Sequence, residues 1–328
     1  MNGPPLLSVV IPTLGRPALL SRAIGSAIES AGAFSVEVVV VPNGPDQSWQ
    51  EVAARHGSDD RVVFLPLRTP SAPAARNHGL KHARGTYIRF LDDDDVLYGP
   101  TACNQIAVME ATGAEVCSGA INIVNPRGKV VRTWAQPATG DLIAGTLGTS
   151  RATLTHAHLY RRDSIVHLRW DETLRVGQDV HWMLQLCADK EFAWARLDEP
   201  VGAWMHHLGP RIFRGKHPGN DALESLANGL LQTVERLHNR GGLSRSRKEA
   251  AADGLWGLFQ KGYMYAPREW LATAAKADQL APGRTPPSAI YRIPLLKRSD
   301  PRVIESILIP IRASHAFLRL MHSKVRRA

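Results

Sequence analysis

Four consecutive carboxylates, Asp92 to Asp95, interrupt an apolar run, Tyr87 to Leu91, that resumes at Val96 and Leu97. Like charges at adjacent positions repel, so a fold that concentrates them calls for a cation. Hard oxygen ligands on a short turn suit Mg²⁺ or Mn²⁺, which keep open positions for phosphate oxygens rather than being caged by protein alone. An acidic run in isolation is more often a solvated loop. The position of this one, at the end of a strand-forming stretch, favours a site, because ligands in open α/β sheets bind at the carboxyl ends of strands.

The elements that must position these carboxylates can be read from periodicity. Leu7 to Pro12 is a short buried strand, followed by a helix from Pro17 to Ser30 with Leu19, Leu20, Ile24 and Ile28 on one side. Val36 to Val41 is almost wholly β-branched, as a central parallel strand should be, and ends in the turn Pro42-Asn43-Gly44-Pro45. Helices are predicted over 47–56 and 72–83, with strands over 61–65 and 86–91 between and after them. Strands alternating with helices at this spacing imply a parallel sheet with right-handed crossovers. Beyond residue 100 strands dominate: 115–124 and 129–134 across the turn Asn125 to Gly128, then 152–160 and 201–206. Helices are expected over 162–168 and 179–189, and the pattern is helical from about 220 onward. The boundary between an α/β unit and a helical C-terminal region is expected at 215/216, with a nucleotide-binding half over 1–98 and an acceptor half over 99–215.

Composition narrows the class. The chain has 328 residues, 44% hydrophobic and 21% charged, which suits a soluble globular protein with one or two cores. Cys103, Cys117 and Cys187 are odd in number and widely spaced, as expected for reduced core thiols rather than a disulfide framework or a zinc site. Neither a signal peptide nor an apolar window long enough to span a membrane is apparent, so a cytoplasmic location is expected. The net charge of +10 is concentrated late: Arg284 to Ala328 carries ten Lys/Arg against Asp300 and Glu305. Residues 301–328 space Ile304, Ile307, Leu308, Ile311, Leu318 and Met321 helically among basic residues, a pattern able to lie on the anionic inner face of a plasma membrane.

Five motifs occur in order: Ser8 to Thr13 with Arg16-Pro17; Ala75-Arg-Asn-His-Gly79; Gly85 to Asp95; Trp170-Asp-Glu-Thr-Leu174; and Gly177-Gln-Asp-Val-His181. In type, order and spacing this set resembles the family 2 glycosyltransferases, inverting nucleotide-sugar-dependent enzymes with the GT-A fold. The resemblance covers residues 8–205 and implies an α/β, Rossmann-like catalytic domain. It implies that Asp92, Asp94 and Asp95 belong to a metal-binding Asp-x-Asp motif for Mn²⁺ or Mg²⁺, with Asp93 as the variable middle position. Asp92 and Asp93 would also border the nucleotide, together with Pro12, Thr13, Arg16, Asn43, Arg76 and Asn77. Where the family has an Asp before the glycine of the second turn, this chain has Pro42 and Asn43, which keeps an acceptor without the charge. His206 or His207 would supply a further metal contact; on a strand only one of the pair can face it.

An attacking hydroxyl must lose a proton, and Asp179 matches the carboxylate the resemblance assigns to that task. Asp171 and Glu172 compete for it. The usual preceding Glu is Gln178 here, which lowers like-charge repulsion and with it the reason for a raised Asp179 pKa. Arg211, Arg214 and Lys216 could close over a diphosphate, and Trp134, Trp182 and Trp204 could face sugar rings, although scattered Trp more often belong to cores.

The expected partners are a nucleotide-sugar donor, UDP-linked, and a glycan or lipid-linked glycan acceptor of bacterial surface polysaccharide synthesis, with a homodimer possible and no nucleic acid. A sugar-phosphate nucleotidyltransferase would need a Gly-rich basic phosphate loop, which Thr13 to Arg16 lacks. A nucleic-acid binder would interleave its basic residues with stacking aromatics, and this chain does not. A non-catalytic binding relative would make Asp179 dispensable.

Overall fold

The structure, a computed structural model, describes residues 3–148, 154–207, 219–293, 296 and 299–310. Two compact units are present, one comprising 1–146 and 150–214 and the other 147–149 and 215–328.

The first unit begins with the expected alternation: β1 (Leu7–Thr13), α1 (Pro17–Glu29), β2 (Val36–Pro42), α2 (Trp49–His56), β3 (Val62–Phe64), α3 (Ala72–His82) and β4 (Tyr87–Phe90). It continues with β5 (Val96–Leu97), α4 (Gly99–Thr112), β6 (Val116–Val124), β7 (Val130–Trp134), α5 (Leu142–Leu147), β8 (His158–Arg161), α6 (Arg162–Ile165), α7 (Gln178–Asp189) and β9 (Trp194–Met205). All but β7 follow the sheet order β3-β2-β1-β4-β8-β6-β9-β5, with β7 paired to β6. The strands β3, β2, β1 and β4 run parallel, whereas β8 is antiparallel to β4. This is the mixed, mainly parallel α/β architecture expected.

The β-branched runs are buried on both faces because helices cover both. On one face Val9, Ile11, Val38, Val40, Tyr87 and Leu91 pack with Leu20, Ile24, Ile106 and Met109 in a single apolar core. On the other, α3 lies so close that a Cβ on Gly79 would run into the Val10 side chain, which is why the Arg-Asn-His-Gly motif ends in glycine. That approach holds Arg76 and Asn77 near the carboxyl ends of β1 and β4.

Several elements differ from the sequence reading, among them α5, which was not expected, and α6, which ends at Ile165 rather than 168. Helix α4 was not foreseen, because its buried positions, Ala102, Gln105, Ile106 and Met109, include a polar residue and a small one. Gln105 is buried because its amide donates to the carbonyls of Cys117 and Ala157 and accepts from Arg89. The strand expected over 152–160 is a 3₁₀ turn, Thr155–Ala157, leading into β8, with 151–153 outside the described residues. Strand β9 starts at Trp194, well before 201, since its first half pairs with β6 even though its outer side chains are polar. All three cysteines are free thiols, Cys117 and Cys187 buried.

The second unit contains α8 (Asn220–Asn239), α9 (Arg245–Gly262) and α10 (Pro267–Leu280). Ser244 caps α9 by accepting from the Arg247 N–H, and Trp270 packs where Gly262 has no side chain. The Arg284 guanidinium grips Asp253 at 2.6 Å and Glu249 at 3.2 Å, pinning the Pro/Gly-rich segment to α9. Residues 311–328, which include most of the basic amphipathic stretch, and Arg211, Arg214 and Lys216 lie outside the described residues. No described helix is long and apolar enough to cross a membrane.

Candidate active site

The aspartates follow one residue after β4, and their partners differ except that Asp93 and Asp94 share Arg16. Asp92 meets Arg76 Nη2 at 2.5 Å. Asp93 is fully buried; its Oδ2 accepts from the Thr13 hydroxyl at 2.6 Å and its Oδ1 pairs with Arg16 Nη2 at 2.6 Å. Asp94 pairs with Arg16 Nη1 at 2.7 Å and with His207 Nε2 at 2.9 Å. Asp95, also buried, accepts from the Met205 backbone N–H at 2.9 Å and faces His156 Nδ1 at 3.4 Å. The repulsion anticipated among four carboxylates is therefore offset in part by Arg16 and Arg76.

Asp92, Asp94 and Asp95 each offer an oxygen, and the three oxygens lie within 4.8 Å of one another. Three hard oxygen donors with an imidazole beside them fit Mg²⁺ or Mn²⁺. Asp93 stands outside this trio, as expected of a middle position, but it is not a spare one. Its carboxylate locks the end of β1 to the aspartate loop. Burial pushes Asp93 up to about 7, against the opposing pull of Arg16 and Thr13. Burial would also raise Asp92, yet the Arg76 charge and hydrogen bond prevail and hold it below the usual carboxylate range.

The second part of the site arrives with α7. Gly177 adopts φ 75°, a left-handed conformation that glycine tolerates, and so turns the chain into the first turn of the helix. Gln178 then accepts from Arg76 Nη1 at 2.9 Å, so the one guanidinium spans Asp92 and the residue before Asp179. Arg76 itself lies 4.5 Å over the Trp170 ring, which stacks on Trp182 at 4.7 Å. Burial raises Asp179 to about 6; the Asp92 charge adds to the rise, while the Val180 N–H and Arg76 act against it. The expectation that Gln178 lessens the reason for a raised Asp179 pKa is thus corrected by burial: desolvation, which needs no neighbouring Glu, is the main cause.

Several nucleotide-side residues turn out to be spent on the protein itself. Pro12 is buried within β1, in register with Val41. The Thr13 hydroxyl and the Arg16 guanidinium are both engaged by aspartates. The Asn43 carboxamide nitrogen donates to the Thr13 carbonyl at 2.9 Å, tying β1 to β2. Just beyond this turn, Asp46 accepts from the Gly15 N–H and from the Ser48 hydroxyl. The Asn77 carboxamide likewise has protein partners: it donates to the Trp170 carbonyl and Glu172 and accepts from the Trp170 N–H, all within 2.8–2.9 Å. Asn77→Ala should therefore lower unfolding free energy by about 1–3 kcal/mol, measurable by urea titration, because it strands the Trp170 backbone groups. An unchanged midpoint would show the clasp to be dispensable.

Of the two competitors for the base, Glu172 accepts from Asn77, and Asp171 accepts from the Thr173 N–H and hydroxyl. Of the histidine pair, His207 faces the aspartates, whereas His206 packs edge-on against Trp204 at 4.7 Å. Trp182 is core, so no tryptophan platform including it is formed. Two contributors escaped the sequence reading. Arg22 donates to the Asp94 carbonyl at 2.9 Å, and His156 lies beneath Asp95. The pair His156 and His158 just before an apolar strand was the only available signal for the second.

Residues 8–168 match the family described as Glycosyl transferase family 2. An uncharacterised glycosyltransferase, EpsJ of Bacillus subtilis (strain 168), is 24% identical over 256 residues, covering 75% of this chain and 73% of the relative. A Campylobacter jejuni protein named GalNAc(5)-diNAcBac-PP-undecaprenol beta-1,3-glucosyltransferase is 38% identical over 96 residues, 28% of this chain and 31% of that one. Among solved structures, S. aureus TarS 1-349 in complex with UDP-GlcNAc superposes with TM-score 0.65 at 17% identity, covering 98% of this chain and 91% of the other. Taken with the aspartate trio after β4 and the ordered motifs, the match places residues 8–168 of the chain in the family 2 glycosyltransferases, and the likeness to TarS shows the GT-A fold.

Proposed function

We propose that the unit ending near residue 215 transfers a sugar, with inversion, from a nucleoside diphosphate donor to a hydroxyl of a glycan or lipid-linked glycan at the cytoplasmic face of a bacterial membrane. The observation that carries this reading is the span of Arg76, whose two nitrogens join Asp92 of the aspartate trio to Gln178 beside Asp179. This bridge supports reading the phosphate-handling group and the candidate base as parts of one site, as a single in-line displacement requires.

Asp92, Asp94, Asp95 and His207 would hold Mn²⁺ or Mg²⁺, which when bound supplies charge neutralisation for the departing diphosphate. Asp179 takes the acceptor proton, and its position at the first turn of α7 favours the carboxylate form the reaction needs. Arg76 keeps Asp92 ionised while orienting Gln178. A UDP-linked donor is supported by the TarS complex with UDP-GlcNAc. The lipid-linked acceptor is supported by the Campylobacter relative, whose name places its acceptor on undecaprenol.

Thermal-shift measurements with UDP, GDP, TDP and CDP, each with Mn²⁺, test the donor assignment. A ligand that binds only the folded state at 100 times its Kd adds about 2.7 kcal/mol, so UDP should raise the midpoint by several degrees and the other three by less. Equal shifts would remove the base assignment, and no shift with any of the four would remove the donor class.

A further inference from the structure

His156 is 1% exposed, in the middle of the Thr155–Ala157 turn. Its Nδ1 lies 3.4 Å from Asp95 Oδ2, longer than an ordinary hydrogen bond, and among the described residues no other polar atom is bonded to either ring nitrogen. Leaving a buried imidazole in that state costs stability, so its presence asks for an explanation. Space for it is made on purpose: Gly202 stands opposite, and a Cβ there would come within 3.2 Å of His156 Cδ2 and collide with the Val96 carbonyl. An apolar residue would fill the same volume without the penalty.

Asp95 supplies the reason. It is the deepest of the three clustered carboxylates, 3% exposed, and its other oxygen is held by the Met205 N–H at the end of β9, two residues before His207. Carboxylates that ligate metals are themselves oriented by hydrogen-bond donors behind them, and loss of such a donor commonly weakens metal binding by about 10–100-fold. Against a carboxylate, Nδ1 is the donor.

We infer that His156 is a positioning residue for the cation site, holding Asp95 from below so that its carboxylate serves the trio while Met205 couples the same group to the strand that presents His207. This inference rests on the metal-binding reading of the aspartates. It makes the 3₁₀ turn before β8 part of the metal site, although it is distant in sequence from the Asp92–Asp95 run.

The test is Mn²⁺ binding to the full chain stripped of metal, followed by the electron paramagnetic resonance of free Mn²⁺. His156→Leu should raise the Mn²⁺ Kd about 10–100-fold while leaving the thermal midpoint of the stripped protein unchanged or higher. His156→Asn, whose Nδ2 falls close to the place of Nδ1, should keep the Kd within about threefold of wild type. If His156→Leu does not fold, His156→Gln, with its donor displaced toward the Nε2 position, carries the same expectation as the leucine variant. Wild-type affinity in the variant lacking the donor, or equal losses in that variant and His156→Asn, would overturn the inference and leave the metal site standing. A wild-type chain that binds no Mn²⁺ would remove both.

Discussion

Asp94→Ala is expected to cut nucleotide-sugar turnover in Mn²⁺ by roughly 10³-fold, since a cation neutralising a departing diphosphate is worth several kcal/mol. The surroundings of Asp94 set the size of this effect. Asp94 belongs to the trio whose oxygens lie within 4.8 Å, and it also receives both Arg16 and His207. On the proposed reading its loss removes a metal ligand and releases His207, while Arg16 retains Asp93 as a partner, so the fold should survive. Circular dichroism should be unchanged and the Mn²⁺-dependent rise in thermal midpoint should disappear. A variant that keeps metal-stimulated turnover within tenfold of wild type would show that the trio does not serve the reaction.

Asp179→Asn is the second large effect: removing a general base should lower kcat about 10²–10⁴-fold with donor binding and Mn²⁺ affinity preserved. Its pH dependence has a definite sign. The base must be ionised, and burial places the Asp179 carboxyl at about 6, so the wild-type rate should fall with unit slope as pH drops below that value and level off above it. Part of that elevation comes from the Asp92 charge; a cation on Asp92 offsets it, and saturating Mn²⁺ should move the limb to lower pH. The stability consequence has the opposite sense. A carboxyl whose folded pKa lies above its ordinary value of 3.8 costs stability progressively as pH rises from that value to about 6, and the cost then stays constant. Asp179→Asn should therefore match wild type in unfolding midpoint near pH 4 and exceed it near pH 8, in metal-free protein. A variant that loses activity and also stability at pH 8 would point to a structural role instead.

A large part of this protein is legible without coordinates because it is local. Period-two and β-branched runs name β1, β2 and β4, while Pro17 and Pro73 mark helix starts at α1 and α3; the four aspartates announce themselves by charge alone. The order of the motifs likewise carries the family, since each motif answers a constraint of its own segment, as Gly79 does against Val10.

What the sequence by itself determined, then, is the alternating α/β layout, the aspartate cluster and the candidacy of Asp179. Only the tertiary structure decided how those groups divide their partners. It turned Asp93 inward to Thr13 and Arg16, gave Arg76 to both Asp92 and Gln178, spent Asn43 and Asn77 on the scaffold, chose His207 over His206, and set His156 beneath Asp95. The physical reason is the same throughout. A side chain's partner is fixed by which segments the sheet brings side by side, across separations such as the 102 residues between Arg76 and Gln178, and its charge state by how much water that packing removes.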